Sequence, residues 1–443
     1  MSAAEQIPKP LQYGASQSQA RVCRQTIMPQ GVSGGTAGSL VRFMLPQRAI
    51  VDLRSLSLYY TYTISGMVND ATNYSVSQIP ASYKHWKSVR FYVSGAAASG
   101  SNSQHYDQIY HALVNATGSE DWVKSRLNNN YLELLNSAVL AATPGATSVS
   151  AYVTCDDFLG LPNSKNYCID TSLFGNVEME IQFNDNVQLK VKVQGTTTAA
   201  NALGAISASF SNIRLKCDTV TSISPLYVSL LAERISGSDA PIRVPFQEFR
   251  SVVASNTGSN RFTVNSQCVD ALLVVPFNAD PNTNVGFATG GDTILANNPH
   301  YRFDSGRTES NAGDTRFQVI VGSEAFPRTP IDHATELADL TTNSIYGNSA
   351  RSTNLLYRAM TNAGAEDTPS RLAFLNNNCV ALQRFSLMTE GWAEGVMTGL
   401  NTAGQSVDFV VNTQNFGSHL LIAALCTSCL VFDPKTSAVS IES

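Results

Sequence analysis

Apolar side chains recur at every second position in segment after segment of this chain, and a period of two commits those segments to β-strands. Leu56, Leu58, Tyr60, Tyr62 and Ile64 alternate with Ser57, Tyr59, Thr61 and Thr63, and Val41, Phe43 and Leu45 share a face just before them. The pattern returns as Val89, Phe91 and Val93, then as Val177, Met179, Ile181 and Phe183 against Glu178, Glu180 and Gln182. Val187, Leu189, Val191 and Val193 follow, set against Gln188, Lys190, Lys192 and Gln194. One apolar and one polar face is the mark of antiparallel sheets that cover a core on one side. Ile206, Ala208, Phe210, Ile213, Leu215 and Cys217 close this series near Asp218.

A second series starts at Ile242-Arg-Val-Pro-Phe, runs through Cys268 to Val275 and Phe317 to Val321, and ends with Val407, Phe409, Val411 and the long run Leu420 to Phe432. With 443 residues the chain suits two domains of roughly 200 residues each. The division expected is an N-terminal arm over 1–35, a first sandwich over 36–218, a helical linker over 219–240 and a second sandwich over 241–443. Ser224 as N-cap, Pro225 in the first turn and Gly237 as terminator support the linker helix.

Each half also carries one helical stripe: Tyr106, Ile109, Tyr110, Leu113 and Val114 in the first, and Leu355, Leu356, Ala359 and Met360 within 352–362 in the second. Arg90-Phe-Tyr-Val-Ser-Gly is echoed by Arg316-Phe-Gln-Val-Ile-Val-Gly, each ahead of its half's helix. Two copies of one β fold are the simplest account. Long polar stretches at 67–83, 95–103, 118–150 and above all 276–315 read as loops.

Charged residues are only 14% of the chain, against roughly 25% in ordinary soluble domains. A neutral polar surface suits subunit contacts, because few charges lose water there. The net charge of −5 gives no general attraction to nucleic acid or anionic membrane. The arm carries only Glu5, Lys9, Arg21 and Arg24, so it is no basic genome-binding tail. It is too polar to fold alone, and deleting residues 1–30 is expected to leave both sandwiches intact. No secretory signal and no membrane span are read from the sequence.

The residues with chemical potential point to structure rather than catalysis. Cys426-Thr-Ser-Cys429 has C-x-x-C spacing, but inside a strand-like run the two thiols lie about 10 Å apart on opposite faces. The other cysteines, Cys23, Cys155, Cys168, Cys217, Cys268 and Cys379, are scattered and read as free buried thiols. His85, His105, His111, His300, His333 and His419 show no metal-binding spacing and read as structural or surface residues. Asp156-Asp157 and the 276–315 loop hold oxygen ligands without a calcium-loop register. Sequons stand at Asn73 and Asn115. Tyr59, Tyr60, Tyr62 and Trp86 offer a stacking platform, although Tyr60 and Tyr62 share the core face. No catalytic, cofactor-binding or metal residue is assigned, and no enzyme activity is expected.

The order of these segments resembles the double jelly-roll major capsid proteins of the adenovirus and tectivirus lineage, with polinton-like viruses, adintoviruses and virophages nearest. Gly38-Ser-Leu-Val-Arg-Phe-Met-Leu-Pro and Asp52-Leu-Arg-Ser-Leu-Ser-Leu resemble that family's first strands. Val89-Arg-Phe-Tyr-Val-Ser-Gly followed by Tyr106-Asp-Gln-Ile-Tyr-His-Ala-Leu-Val is similar to its strand-then-helix element. Phe158-Leu-Gly-Leu-Pro through Phe183 is similar to its next strand pair, and Ile213-Arg-Leu-Lys-Cys-Asp-Thr-Val to its crossover.

The resemblance implies an all-β fold of two consecutive jelly-roll sandwiches, each with a short inserted helix. It also implies a structural role in the virion capsid: homotrimers acting as pseudo-hexagonal capsomers of an icosahedral DNA virus. The partners implied are neighbouring capsomers, penton and minor capsid proteins, with no sequence-specific nucleic-acid binding and with synthesis in the host cytoplasm. Two other readings of the residues stay open. One is a carbohydrate-binding or carbohydrate-cleaving β-sandwich, since two acids suffice for that chemistry. The other is an RNA-virus capsid protein with shell and protruding domains, which the lack of a basic arm disfavours.

Overall fold

The computed structural model describes residues 22–31, 34–67, 74–78, 85–98, 105–106, 109, 145–154, 161–163, 168–184, 190–193, 207–220, 241–277, 316–332, 381–385, 392–393, 396–397, 399–411 and 419–442. Sixteen strands form the principal runs of the four main sheets, which the short strands Gly35–Thr36, Cys168–Asp170 and Ala438–Glu442 extend. The first half supplies β1 (Val22–Ile27), β2 (Leu40–Met44), β3 (Ile50–Met67), β4 (Trp86–Val93), β5 (Ala96–Ala97), β6 (Gly145–Thr154), β7 (Val177–Phe183) and β8 (Ser207–Val220). The second half supplies β9 (Ile242–Ser255), β10 (Ser259–Phe262), β11 (Val269–Phe277), β12 (Arg316–Val321), β13 (Glu324–Asp332), β14 (Ala381–Arg384), β15 (Val407–Val411) and β16 (His419–Asp433).

Pairing within these sheets is antiparallel throughout. Sheet I runs β1-β8-β3-β6 and sheet II β2-β7-β4-β5; sheet III runs β9-β16-β11-β14 and sheet IV β10-β15-β12-β13. Adding eight to each strand number turns the first pair of sheets into the second. Each half therefore takes its first, eighth, third and sixth strands into one sheet and its second, seventh, fourth and fifth into the other. That is the jelly-roll winding, present twice.

The sequence echo maps onto this repeat. Arg90 lies in β4 and Arg316 in β12, equivalent strands, and the glycines that close the two motifs sit in two-residue hairpin turns. Ser94 and Gly95 have φ of 49° and 82° and Gly322 has φ of 62°, the positive values such turns demand. The helices expected after these strands lie largely outside the described residues, as does the whole 352–362 stripe. Tyr106 and Ile109 are helical and fully buried.

The core follows the alternation. Val41, Phe43, Leu45, Tyr60, Tyr62, Phe91, Met179, Ile181, Phe183, Phe210 and Leu215 are all buried. The parity of the pattern slips twice, and each slip is an irregularity in the ladder. Phe210 and Ile213 both point inward because Asn212 and Ile213 together face Tyr60, a β-bulge with Asn212 at φ 53°. Leu53 and Leu56 are both buried because residues 53–56 bow out opposite Cys217. Asp52 and Ser55 close that excursion: the Arg54 amide donates to Asp52 Oδ1 at 2.9 Å and the Asp218 amide to Ser55 Oγ at 2.6 Å.

Several sequence expectations are revised. Val22–Ile27, inside the segment expected as an arm, is the edge strand of sheet I, in register with β8 from Val22 opposite Val220 to Ile27 opposite Leu215. Backbone pairing of this kind asks little of the side chains, so a polar segment supplies a strand. A deletion through residue 30 removes that strand. Thr219 and Val220 complete β8, and the linker helix expected beyond them lies outside the described residues. The stretches read as loops contribute strands: Tyr74–Gln78 pairs with Lys190–Val193, and β6 begins at Gly145. Glu180, expected on a wet face, is 2% exposed.

β11 and β16 are buried at nearly every position, which is why Leu420 to Phe432 reads as an unbroken apolar run. Part of this cover comes from the first roll. Tyr106 meets Phe249 of β9 at 5.8 Å between ring centroids, Phe174 meets Phe432 of β16 at 6.2 Å, and Leu161–Asn163 packs on β9.

Candidate functional site

Several of the described residues that could carry chemistry are built into the core. Cys426 and Cys429 lie in β16 with no exposure. Desolvation pushes the Cys426 thiol up to about 12, with Glu248 adding to the effect, and the Cys429 thiol up to about 11. Both are protonated thiols, poor as nucleophiles and as ligands. Cys217 is held up at about 12 by the same burial, while Cys23 and Cys168, expected as buried thiols, are exposed because they lie on the short strands Val22–Ile27 and Cys168–Asp170 at positions that face outward. No group of three or more His, Cys, Asp or Glu side chains among the described residues is placed to hold a metal.

His85 is enclosed by aromatic rings, His105 is buried at φ 61°, and His419 opens β16. His111, His300, His333, Cys155, Cys379, Asp156, Asp157, Asn73 and Asn115 lie outside the described residues. The four candidate stacking residues do not form a platform: Tyr60, Tyr62 and Trp86 are core, because their strand positions point inward. Tyr59 points outward and is covered by Lys216 at 4.6 Å and Arg214 at 5.4 Å from its ring centroid.

Buried acids serve as ties between strands. Thr427 Oγ1 donates to Asp270 Oδ2 at 2.6 Å, and Ser428 Oγ donates to Glu248 Oε1 at 2.9 Å, where Arg250 Nη2 also donates at 2.7 Å. Glu180 accepts from Arg42 Nε at 2.7 Å.

What remains on the surface is organised by the sheet edges. The outer strands β1, β2 and β10 each present an arginine to the acid directly opposite on the inner strand. Arg24 pairs with Asp218 of β8, Arg42 with Glu180 of β7 and Arg261 with Asp408 of β15, at 2.8, 2.7 and 2.9 Å. From β9, Arg243 reaches Glu442 at 3.2 Å. The β2–β7 and β10–β15 pairs are equivalents under the eight-strand repeat. Only Arg243–Glu442 is exposed on both sides and adds little stability, but the arginine of every pair is exposed and puts charge along strand edges that would otherwise accept another strand. The exposed large apolar side chains of the described residues, Val22, Met28, Leu40 and Val252, stand on or beside these same edge strands. The sequence reading missed both features. Arg42 and Glu180 are visible as charges on wet positions, but only the register shows that they face each other.

No helix of the described residues is long and apolar enough to cross a membrane. The sequence matches no protein-family model and no curated protein. The structure, in contrast, is similar to solved viral structures over nearly its whole length. PBCV-1 VP54, as fitted into a reconstruction of the virophage Sputnik, aligns with a TM-score of 0.58 at 10% identity over 96% of this chain and 97% of that one. A chain of the PBCV-1 virus capsid gives 0.55 at 10% identity over 93% and 94%, and the Faustovirus major capsid protein gives 0.51 at 10% identity over 93% and 90%. With the strand order repeated in both halves, these likenesses give the chain the double jelly-roll fold of viral major capsid proteins.

Proposed function

We propose that this chain is the major capsid protein of an icosahedral DNA virus, and that it works by assembling with copies of itself rather than by catalysis. The observation that carries this reading is the likeness to viral capsid structures across both rolls, 96% of this chain against 97% of the other. A binding or cleaving enzyme built on a β-sandwich needs only one sandwich and a site. Here two rolls of equal topology are packed side by side, and His85, Cys217, Cys426, Cys429, Glu248 and Asp270 are enclosed in the core.

In this reading three chains form a capsomer in which six similar sandwiches give a pseudo-hexagonal outline. The first roll reaches Val220, the second starts at Ile242, residues 221–240 connect them, and the residues ahead of Val22 form the arm. Neighbouring capsomers, penton and minor capsid proteins are the partners, and the virion shell is the location. The edge arginines and the exposed Val22, Met28, Leu40 and Val252 then meet neighbours through side chains rather than by strand addition.

Light scattering and negative-stain microscopy of the purified full-length protein test the proposal. The expected result is a trimer with subunit contacts above the roughly 1,000 Å² of a specific interface, growing into larger particles as conditions vary. A stable monomer at high concentration under every salt condition overturns it.

A further inference from the structure

His85 stands immediately before β4, and its imidazole is completely enclosed. Its ring stacks on Tyr62 of β3 at 4.1 Å with 24° between the planes, and meets Tyr60 of β3 edge-on at 5.8 Å and Phe210 of β8 at 6.2 Å. Phe183 of β7 closes the group, stacked on Phe210 at 3.8 Å and edge-on to Tyr60 at 5.6 Å. Nδ1 lies 2.8 Å from the Tyr60 hydroxyl, while Nε2 has no hydrogen-bond partner among the described residues. The backbone is pinned as well, since the Asn184 amide donates to the His85 carbonyl at 2.7 Å.

A neutral imidazole fits this pocket with one nitrogen bonded. An imidazolium does not, because it carries a charge out of water and turns both nitrogens into donors, for which the pocket supplies one partner. Among the described residues the titratable groups that face the ring are Tyr60 and Tyr62, and the other side chains of the group, Phe210 and Phe183, are apolar. Phenols carry no charge in acid, so among the described residues no carboxylate compensates the proton.

We propose that His85 is an acid-sensitive latch of the first jelly roll: its protonation is incompatible with the closed aromatic pocket between β3, β7 and β8, so acidification loosens that roll while the second keeps its strands. The proposal is independent of the capsid reading. Burial lowers the folded-state pKa from 6.5 to about 3. The unfolded or opened chain therefore takes up the proton first. The contribution of the latch is complete above pH 6.5 and falls, as pH drops toward 3, by about tenfold in the opening equilibrium per pH unit.

Hydrogen exchange of the full-length protein, read by mass spectrometry at pH 7.5 and 5.0 and corrected for intrinsic rates, tests it. Amides of β3, β7 and β8 are expected to lose about 30-fold protection at the lower pH relative to β11, β15 and β16. His85→Phe is expected to abolish that difference between the rolls. Equal losses in both rolls, no loss in the first, or the same loss in the His85→Phe protein overturns the proposal. If the variant does not fold, the comparison of the two rolls within the unmodified chain decides.

Discussion

Within β16, Thr427 and Ser428 are buried among apolar neighbours, and each hydroxyl is matched to a buried acid on an adjacent strand, Asp270 on β11 and Glu248 on β9. The acids would be costly alone, so hydroxyl and carboxylate have to be considered as one unit. Thr427→Val keeps the side-chain shape while removing the 2.6 Å bond to Asp270, and is expected to cost about 1–3 kcal/mol. Thr427→Ser should recover most of that loss. Urea-unfolding midpoints of the two variants check both outcomes. Equal midpoints for Thr427→Val and the parent would mean that Asp270 has another sufficient donor.

At the scale of the strand, the alternation that identifies β8 breaks between Phe210 and Ile213, and the break is stabilised by one residue in the left-handed region. Asn212 is the residue type that accepts φ of 53° at modest cost. Asn212→Val should destabilise the protein by about 1–2 kcal/mol, because a β-branched side chain is penalised there, whereas Asn212→Gly should be close to neutral. Thermal unfolding of the pair checks this, and an unperturbed valine variant would show that the bulge relocates. The bow at residues 53–56 is the second such device, closed by Asp52 and Ser55 rather than by a special backbone conformation.

At the scale of the whole molecule, large side chains of the two rolls meet each other among the described residues. Tyr106 bridges them, touching Trp86 of its own roll and Phe249 of the other, both at 5.8 Å. Its neighbour Leu113, the natural place to probe this helix from sequence, lies outside the described residues, so the contact itself is the better target. A double-mutant cycle of Tyr106→Ala and Phe249→Ala is expected to give a coupling of about 0.5–1.5 kcal/mol. Each single change should also let the rolls unfold at more widely separated denaturant concentrations. Strict additivity would show that the rolls are held together elsewhere, for example at Phe174 and Phe432.

Strands β2, β3, β4, β7, β8, β9, β11, β12, β15 and β16, the all-β class, the doubling and the core faces of β2, β4 and β7 were legible in the sequence, because side-chain period and turn chemistry are local properties of the chain. Even the repeat could be seen in Arg90-Phe-Tyr-Val-Ser-Gly and Arg316-Phe-Gln-Val-Ile-Val-Gly, since equivalent strands ending in equivalent turns keep similar residues. The rest depended on partners distant in sequence. Val22–Ile27 is a strand only because β8 offers it a free edge almost 200 residues later. Glu180 is buried and paired because Arg42 lies in register across the sheet. His85 is an ordinary histidine by its neighbours in sequence and an enclosed one by its neighbours in space. Register, the cover over a sheet's second face and the enclosure of a single ring are long-range outcomes of packing, and no local pattern encodes them.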